Sequence, residues 1–249
     1  VTAGVFFDLD RTLMAGSSGF HWARAARRAG LTTRRQLAND AIENIRFRLR
    51  GSTDEATRVV RERVGAFLEG RRVRELERLS PMVLAGVLPR LYPRMLEVAY
   101  EHQDAGRPVF IVTAATQGTA DMLAHVLFFD GAAGSKLEER DGVYTGGFDG
   151  PFCYGEGKPL RMQQLAEERG IDLAESWAYS DSASDLPMLR AVGHPVAVNP
   201  DAELAKVARE EGWDVMTFET LGRRLKVAAA FVAFTAVGGA GRKVVRSRA

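Results

Sequence analysis

Asp8 and Asp10 stand two residues apart at the end of an apolar run, in Val5-Phe6-Phe7-Asp8-Leu9-Asp10-Arg11-Thr12. In an extended chain, residues i and i+2 share a face, so both carboxylates can address one site at a strand's end. Side by side and desolvated, they would repel each other. A hard divalent cation relieves that conflict and prefers oxygen donors, which makes Mg²⁺ the natural candidate. The plainer alternative is that Asp-x-Asp caps a loop or sits on the surface. A second acid pair, Asp181 and Asp185, lies in Ser180-Asp181-Ser182-Ala183-Ser184-Asp185, directly after Trp177-Ala178-Tyr179. Asp181 falls at a strand end, where open α/β sheets bind their ligands. Asp185 is also suited to cap the helix that opens with Leu186-Pro187-Met188. Thr113 closes the run Val109-Phe110-Ile111-Val112, and Lys158 follows Gly157. Alone, Lys158 reads as a surface charge; beside clustered carboxylates, Lys158 and Thr113 would supply what a phosphoryl group needs.

These residues require strands that end together. The runs at 5–7, 109–112, 177–179, 196–198 and 215–218 read as short strands, several of them buried on both faces. Residues 119–127 and the stretch from Gly157-Lys158-Pro159-Leu160 read as helices, proline being tolerated in a first turn. Residues 143–148 read as a small hairpin or an edge excursion. Repeated strand–helix units predict a three-layer α/β fold with a mostly parallel sheet. From Phe20 to about Leu79 the pattern is helical: Trp22, Ala25, Ala26 and Ala29, then Ile42, Ile45 and Leu49, then Val59, Val60, Val64 and Phe67. Pro81, Gly86, Pro89 and Pro93 punctuate its end. The expected organisation is a core of 1–13 and 106–221, a helical insert at 14–105, and a basic, apolar C-terminal helix or tail at 222–249.

Composition narrows the function classes. The 249 residues are 46% hydrophobic and 27% charged, which argues against disorder. The single cysteine, Cys153, rules out a disulfide within the chain and is a weak vote for a reducing compartment. Asp8 and Asp10 interrupt the first apolar run too early for a secretory leader, so a cytoplasmic location is expected. Residues 14–105 carry 17 Arg and no Lys against 11 acids, a net +6, and residues 222–249 carry +7 with no acid. The remaining stretches carry −11. An acidic core with a basic insert suits a metal site facing an anionic substrate, and solvated surface is the plain alternative. No aromatic-and-basic ladder or zinc-finger spacing appears, so no nucleic acid partner is expected. In the tail, 15 uncharged residues separate Lys226 from Arg242. As a helix they span about 22 Å, short of a ~30 Å hydrocarbon core. Docking on the domain, peripheral contact with the inner face of an anionic membrane, and a short span all stay open.

Taken in order, these motifs resemble the haloacid dehalogenase-like hydrolase superfamily, in its phosphoserine-phosphatase-like branch. Asp8-Leu9-Asp10-Arg11-Thr12 is similar to the first motif, Thr113 to the second, Lys158 to the third, and Asp181 with Asp185 to the fourth. The resemblance implies a Rossmann-like three-layer α/β core with an inserted helical cap. It implies Asp8 as nucleophile and metal ligand, and Asp10 as general acid and base whose backbone carbonyl helps hold Mg²⁺. Thr113 and Lys158 would bind the phosphoryl oxygens, Asp181 would ligate Mg²⁺, and Asp185 would orient the metal's shell. The expected reaction is hydrolysis of a small phosphomonoester through an aspartyl-phosphate. Phosphoryl transfer to an acceptor alcohol, or a membrane-peripheral binding protein retaining the fold, are the alternatives. The branch's substrate-reading glutamate has no counterpart in Met14-Ala15-Gly16-Ser17-Ser18-Gly19-Phe20-His21, which weakens phosphoserine as substrate. Sugar, polyol and lysophospholipid phosphates stay open, the last because of the tail. Ser17, His21, Arg46, Arg48 and Arg50 are candidate substrate contacts; a structural histidine and solvated arginines are the alternatives.

Overall fold

The computed structural model describes residues 2–33 and 53–218. Arg46, Arg48, Arg50 and the tail at 222–249 lie outside the described residues, and so do the tail's docked and membrane-facing alternatives. Within the described part, the strands are β1 (Thr2–Asp8), β2 (Val109–Thr116), β3 (Gly131–Ser135), β4 (Leu137–Arg140), β5 (Val143–Phe148), β6 (Ile171–Ser180), β7 (His194–Val198) and β8 (Asp214–Met216). The insertion after β1 contains α1 (Ser18–Arg28), α2 (Thr53–Leu68), α3 (Val73–Glu77), α4 (Ser80–Val87) and α5 (Pro93–Asp104). Between the later strands lie α6 (Gln117–Val126), α7 (Gly157–Arg169), α8 (Leu186–Leu189) and α9 (Ala202–Glu210).

The six-stranded sheet runs β3-β2-β1-β6-β7-β8, with every pairing from β3 to β7 parallel. It is the mixed, Rossmann-like α/β core with a helical insertion that the motif order implies. The order reverses between β1 and β6, and such a switch point leaves a crevice at the strands' C-terminal ends. Register places Asp8 opposite Val112 and Phe7 opposite Tyr179, so Asp8, Thr113 and Asp181 emerge at one edge of that crevice.

Both faces of β1 are covered, which is why its sequence is continuously apolar. Phe6 stacks on Phe110 at 5.5 Å and joins Met162, Met188 and Leu204 from α7, α8 and α9. Phe7 stacks on Tyr179 at 4.4 Å on the opposite face. There Tyr179 meets α5, which falls inside the segment expected to form the insert but whose partners belong to the sheet. Arg107 Nε donates to His102 Nδ1 at 2.8 Å, which leaves the proton on Nε2 to donate to the Tyr179 hydroxyl oxygen at 2.8 Å. Burial, helped by the Arg107 charge, lowers the His102 pKa from 6.5 to about 4. A folded state that keeps this imidazole neutral is favoured above about pH 6.5 and loses that advantage as pH falls toward 4. Denaturation at pH 4.5 should therefore show roughly 2 kcal/mol less stability than at pH 7 from this group, after allowance for partial solvent screening. His102→Gln should flatten that slope, and an unchanged slope would assign the acid transition to other groups.

The antiparallel hairpin β4–β5 turns through Asp141 and Gly142, both at positive φ (52° and 73°). It grips the insertion through main-chain bonds: Gly70 N–H to Tyr144 O (2.9 Å), Tyr144 N–H to Arg71 O (2.9 Å) and Val73 N–H to Gly142 O (3.0 Å). Among the described residues, no helix is long and apolar enough to cross a membrane.

Candidate active site

The placement of Lys158 begins with its neighbour. A Cβ at Gly157 would lie 1.8 Å from the Phe152 carbonyl oxygen, so only glycine permits the close turn that opens α7. The turn delivers Lys158 into the crevice, where it is buried. Its Nζ donates to Asp8 Oδ1 at 2.5 Å and to Asp185 Oδ2 at 2.7 Å. Ser180 Oγ donates to the same Asp185 oxygen at 2.6 Å. Asp185 occupies the N-cap position of α8 yet makes no side-chain cap bond. Its side chain bonds Lys158 and Ser180 in the crevice instead.

Burial drives the electrostatics. It raises the Asp8 pKa above the usual carboxylate range; Lys158 works against this, and Asp185 and Asp10 reinforce it. Burial also opposes the charge on Lys158, but the Asp185 and Asp8 carboxylates outweigh it and hold the ammonium above the ordinary lysine range. Asp181 is pushed from 3.8 to about 6 by burial, with Arg11 opposing and Asp185 and Asp201 adding to the rise. Its Oδ2 lies 3.0 Å from Arg11 Nε, and its backbone oxygen accepts from Asp201 N–H at 2.9 Å. Asp201 in turn caps α9, accepting from Leu204 N–H at 2.8 Å.

Asp10 is held from the insertion. Its Oδ1 accepts from Ser18 N–H and its Oδ2 from Ser17 Oγ, each at 2.8 Å. Ser17, expected as a substrate contact, is thus engaged by Asp10. The loop itself closes through Leu13 and Met14 N–H groups on the Leu9 carbonyl, at 3.1 Å each. The buried Thr12 hydroxyl has no partner among the described residues. Thr113 Oγ1 accepts from Ala115 N–H at 3.2 Å, a bond that leaves its own O–H free to donate.

Asp8, Asp10, Thr113, Lys158, Asp181 and Asp185 all line one cavity of about 1510 Å³. Trp22, Arg63, Phe67 and Glu77 from the insertion and Tyr144 from the hairpin also line it. His21 is not among its lining residues. It is buried against α4, where a Cβ at Gly86 would lie 2.2 Å from its Nδ1. Among the described residues, no three acidic, histidine or cysteine side chains form a ready-made cation cluster. The fit to a hard cation rests on fewer side chains: two desolvated carboxylates, Asp8 and Asp181, at neighbouring strand ends beside the backbone of Asp10.

Two contacts were not read from the sequence. Arg11 to Asp181 joins the first acid pair to the second, and Ser17 with Ser18 holds Asp10. Nothing in an arginine signals the positive φ (66°) that Arg11 adopts. Ser17 and Ser18 precede a helical pattern, where serine ordinarily signals a cap.

Residues 5–190 match the haloacid dehalogenase-like hydrolase family. The chain is similar to phosphoserine phosphatase SerB1 of Mycobacterium tuberculosis, at 36% identity over 245 residues, covering 96% of this chain and 79% of that one. It is similar to the histidinol-phosphatase of Neisseria meningitidis, at 32% identity over 226 residues, covering 86% of this chain and 97% of that one. The crystal structure of a protein of unknown function from Bordetella pertussis has the same fold, with a TM-score of 0.74 at 29% identity, covering 87% of this chain and 99% of that one.

Proposed function

The chain belongs to the haloacid dehalogenase-like hydrolases and is a phosphatase, and from that premise we propose that it hydrolyses a small-molecule phosphomonoester through an aspartyl-phosphate on Asp8. The observation that carries this reading is the buried Lys158 bridging Asp8 and Asp185 at the switch point of the sheet. An Asp8 oxygen attacks phosphorus, and the ester P–O bond breaks as Asp10 gives its proton to the leaving alcohol. Asp10 then takes a proton from water, whose oxygen attacks the phosphoryl group and restores the Asp8 carboxylate. Lys158 holds Asp8 in place and balances phosphoryl charge, with Thr113 donating to a further oxygen. Asp8, Asp181 and the Asp10 backbone carbonyl would hold Mg²⁺, which would supply the remaining charge neutralisation. Asp185 restrains Lys158 and Ser180 around that set.

In this reading the insertion acts as a cap over the cavity, leaving α5 with the core. Two of the similar proteins are named for phosphoserine and histidinol phosphate. In this chain, the segment at 14–21 brings no acid to the cavity, and its Ser17 and Ser18 are engaged with Asp10. The aromatic lining residues Trp22, Phe67 and Tyr144, with Arg63 and Glu77, favour a phosphomonoester whose organic part presents apolar surface.

The test is phosphate release by the purified full chain across amino acid, sugar, polyol, imidazole-alcohol and lysophospholipid phosphates. Turnover of at least one, lost with chelator and restored by Mg²⁺, is expected. No turnover with any of them, or turnover indifferent to chelation, counts against the reading.

A further inference from the structure

Arg11 sits directly after the Asp8–Asp10 pair with φ 66°, a left-handed conformation that glycine adopts freely and an arginine adopts at a cost. Such strain persists where the surroundings enforce it, and it clusters at working sites. Here its partner is visible. Arg11 Nε lies 3.0 Å from Asp181 Oδ2, the Arg11 side chain being 45% exposed and that of Asp181 6%. Both residues line the cavity. The contact pairs a half-solvated cation with a buried acid that the proposed function gives to Mg²⁺. One carboxylate oxygen cannot serve a guanidinium and a divalent ion at once without placing two like charges in close repulsion.

We propose that Arg11 is the internal counter-ion of Asp181, that the divalent cation displaces it, and that the displaced guanidinium then binds the anionic substrate. The inference rests on the metal assignment made above. A planar, permanently charged fork suits the second task, because its paired N–H groups match phosphoryl or carboxylate oxygens. Cation and anion then bind with positive coupling, each favouring the arrangement that the other needs.

Calorimetric titration of Mg²⁺ into the full chain, without substrate, tests the first half. Arg11→Gln and Arg11→Gly should each bind Mg²⁺ about three- to tenfold more tightly than wild type, the scale of one half-exposed ion pair together with the repulsion it would exert. Arg11→Gly should also melt no lower than Arg11→Gln, because both lose the ion pair and only glycine relieves the positive φ. Titration of inorganic phosphate tests the second half. With Mg²⁺ saturating, Arg11→Gln should bind phosphate roughly tenfold more weakly than wild type; without Mg²⁺ the two should differ much less. Unchanged or weaker Mg²⁺ binding in both Arg11 variants, with binding still abolished by Asp181→Asn, overturns this inference alone. An equal phosphate defect with and without Mg²⁺, or none at all, overturns its second half. Mg²⁺ binding that survives Asp181→Asn removes the metal assignment itself, and this inference with it.

Discussion

Asp8→Asn is expected to lower kcat for phosphomonoester hydrolysis by at least about 10³-fold, because the amide oxygen is a poor nucleophile where the carboxylate is a competent one. The substitution keeps the side-chain volume and an acceptor oxygen for Lys158, so the variant should fold. Acid quenching of the wild-type enzyme during turnover should recover phosphate covalently bound to the protein, and the variant should yield none. A variant that retained near wild-type turnover would place the nucleophile elsewhere in the cavity. The result is informative because Asp8 is the carboxylate bridged by Lys158 while Asp10 is held from the insertion, so the two acids are not interchangeable.

Lys158→Met should damage stability and catalysis together. It removes the cation between Asp8 and Asp185, which are all but sealed from solvent, and leaves two acids without their shared counter-charge. Breaking such a buried pair from one side costs about 3–5 kcal/mol, because the remaining charge is uncompensated. Urea denaturation in chelator should show that loss, and Mg²⁺ should recover part of it by serving Asp8 in the lysine's place. Hydrolysis should fall by about 10²- to 10³-fold, the scale of removing one preorganised charge at a developing phosphoryl centre. Lys158→Arg should not rescue either quantity, since a guanidinium is too broad for a pocket shaped around an ammonium. A Met variant as stable as wild type in chelator would mean that the two acids are relieved by other means.

Asp8, Thr113 and Asp181 were legible because each lies where an apolar run stops, and a parallel sheet brings such stops to one edge. Lys158 and Asp185 do not follow from that rule: the close turn at Gly157 brings in the first, and the short helical turn after Ser182 the second. Strand β3 was not legible: Gly131-Ala132-Ala133-Gly134-Ser135 carries no β-branched or aromatic residue, and its pairing with β2 is what makes it a strand. Strand β6 was read only at its apolar end, since its earlier part, Ile171 to Ser176, pairs with β1 across an irregular register. The helix at Pro93–Asp104 shows a second limit. Glycine and proline mark where helices end, yet they do not say which layer a helix joins; that was decided by His102 and Tyr179, far apart in sequence. His21 shows a third, since nothing near it in the chain announces that Gly86 leaves room for its ring.

Asp10 takes its donors from Ser17, just before α1, and from Ser18, the first residue of α1, so the readiness of the acid and the seating of that helix are one variable. The position of that helix end therefore sets the orientation of the Asp10 carboxylate, and a change there reaches the acid without replacing it.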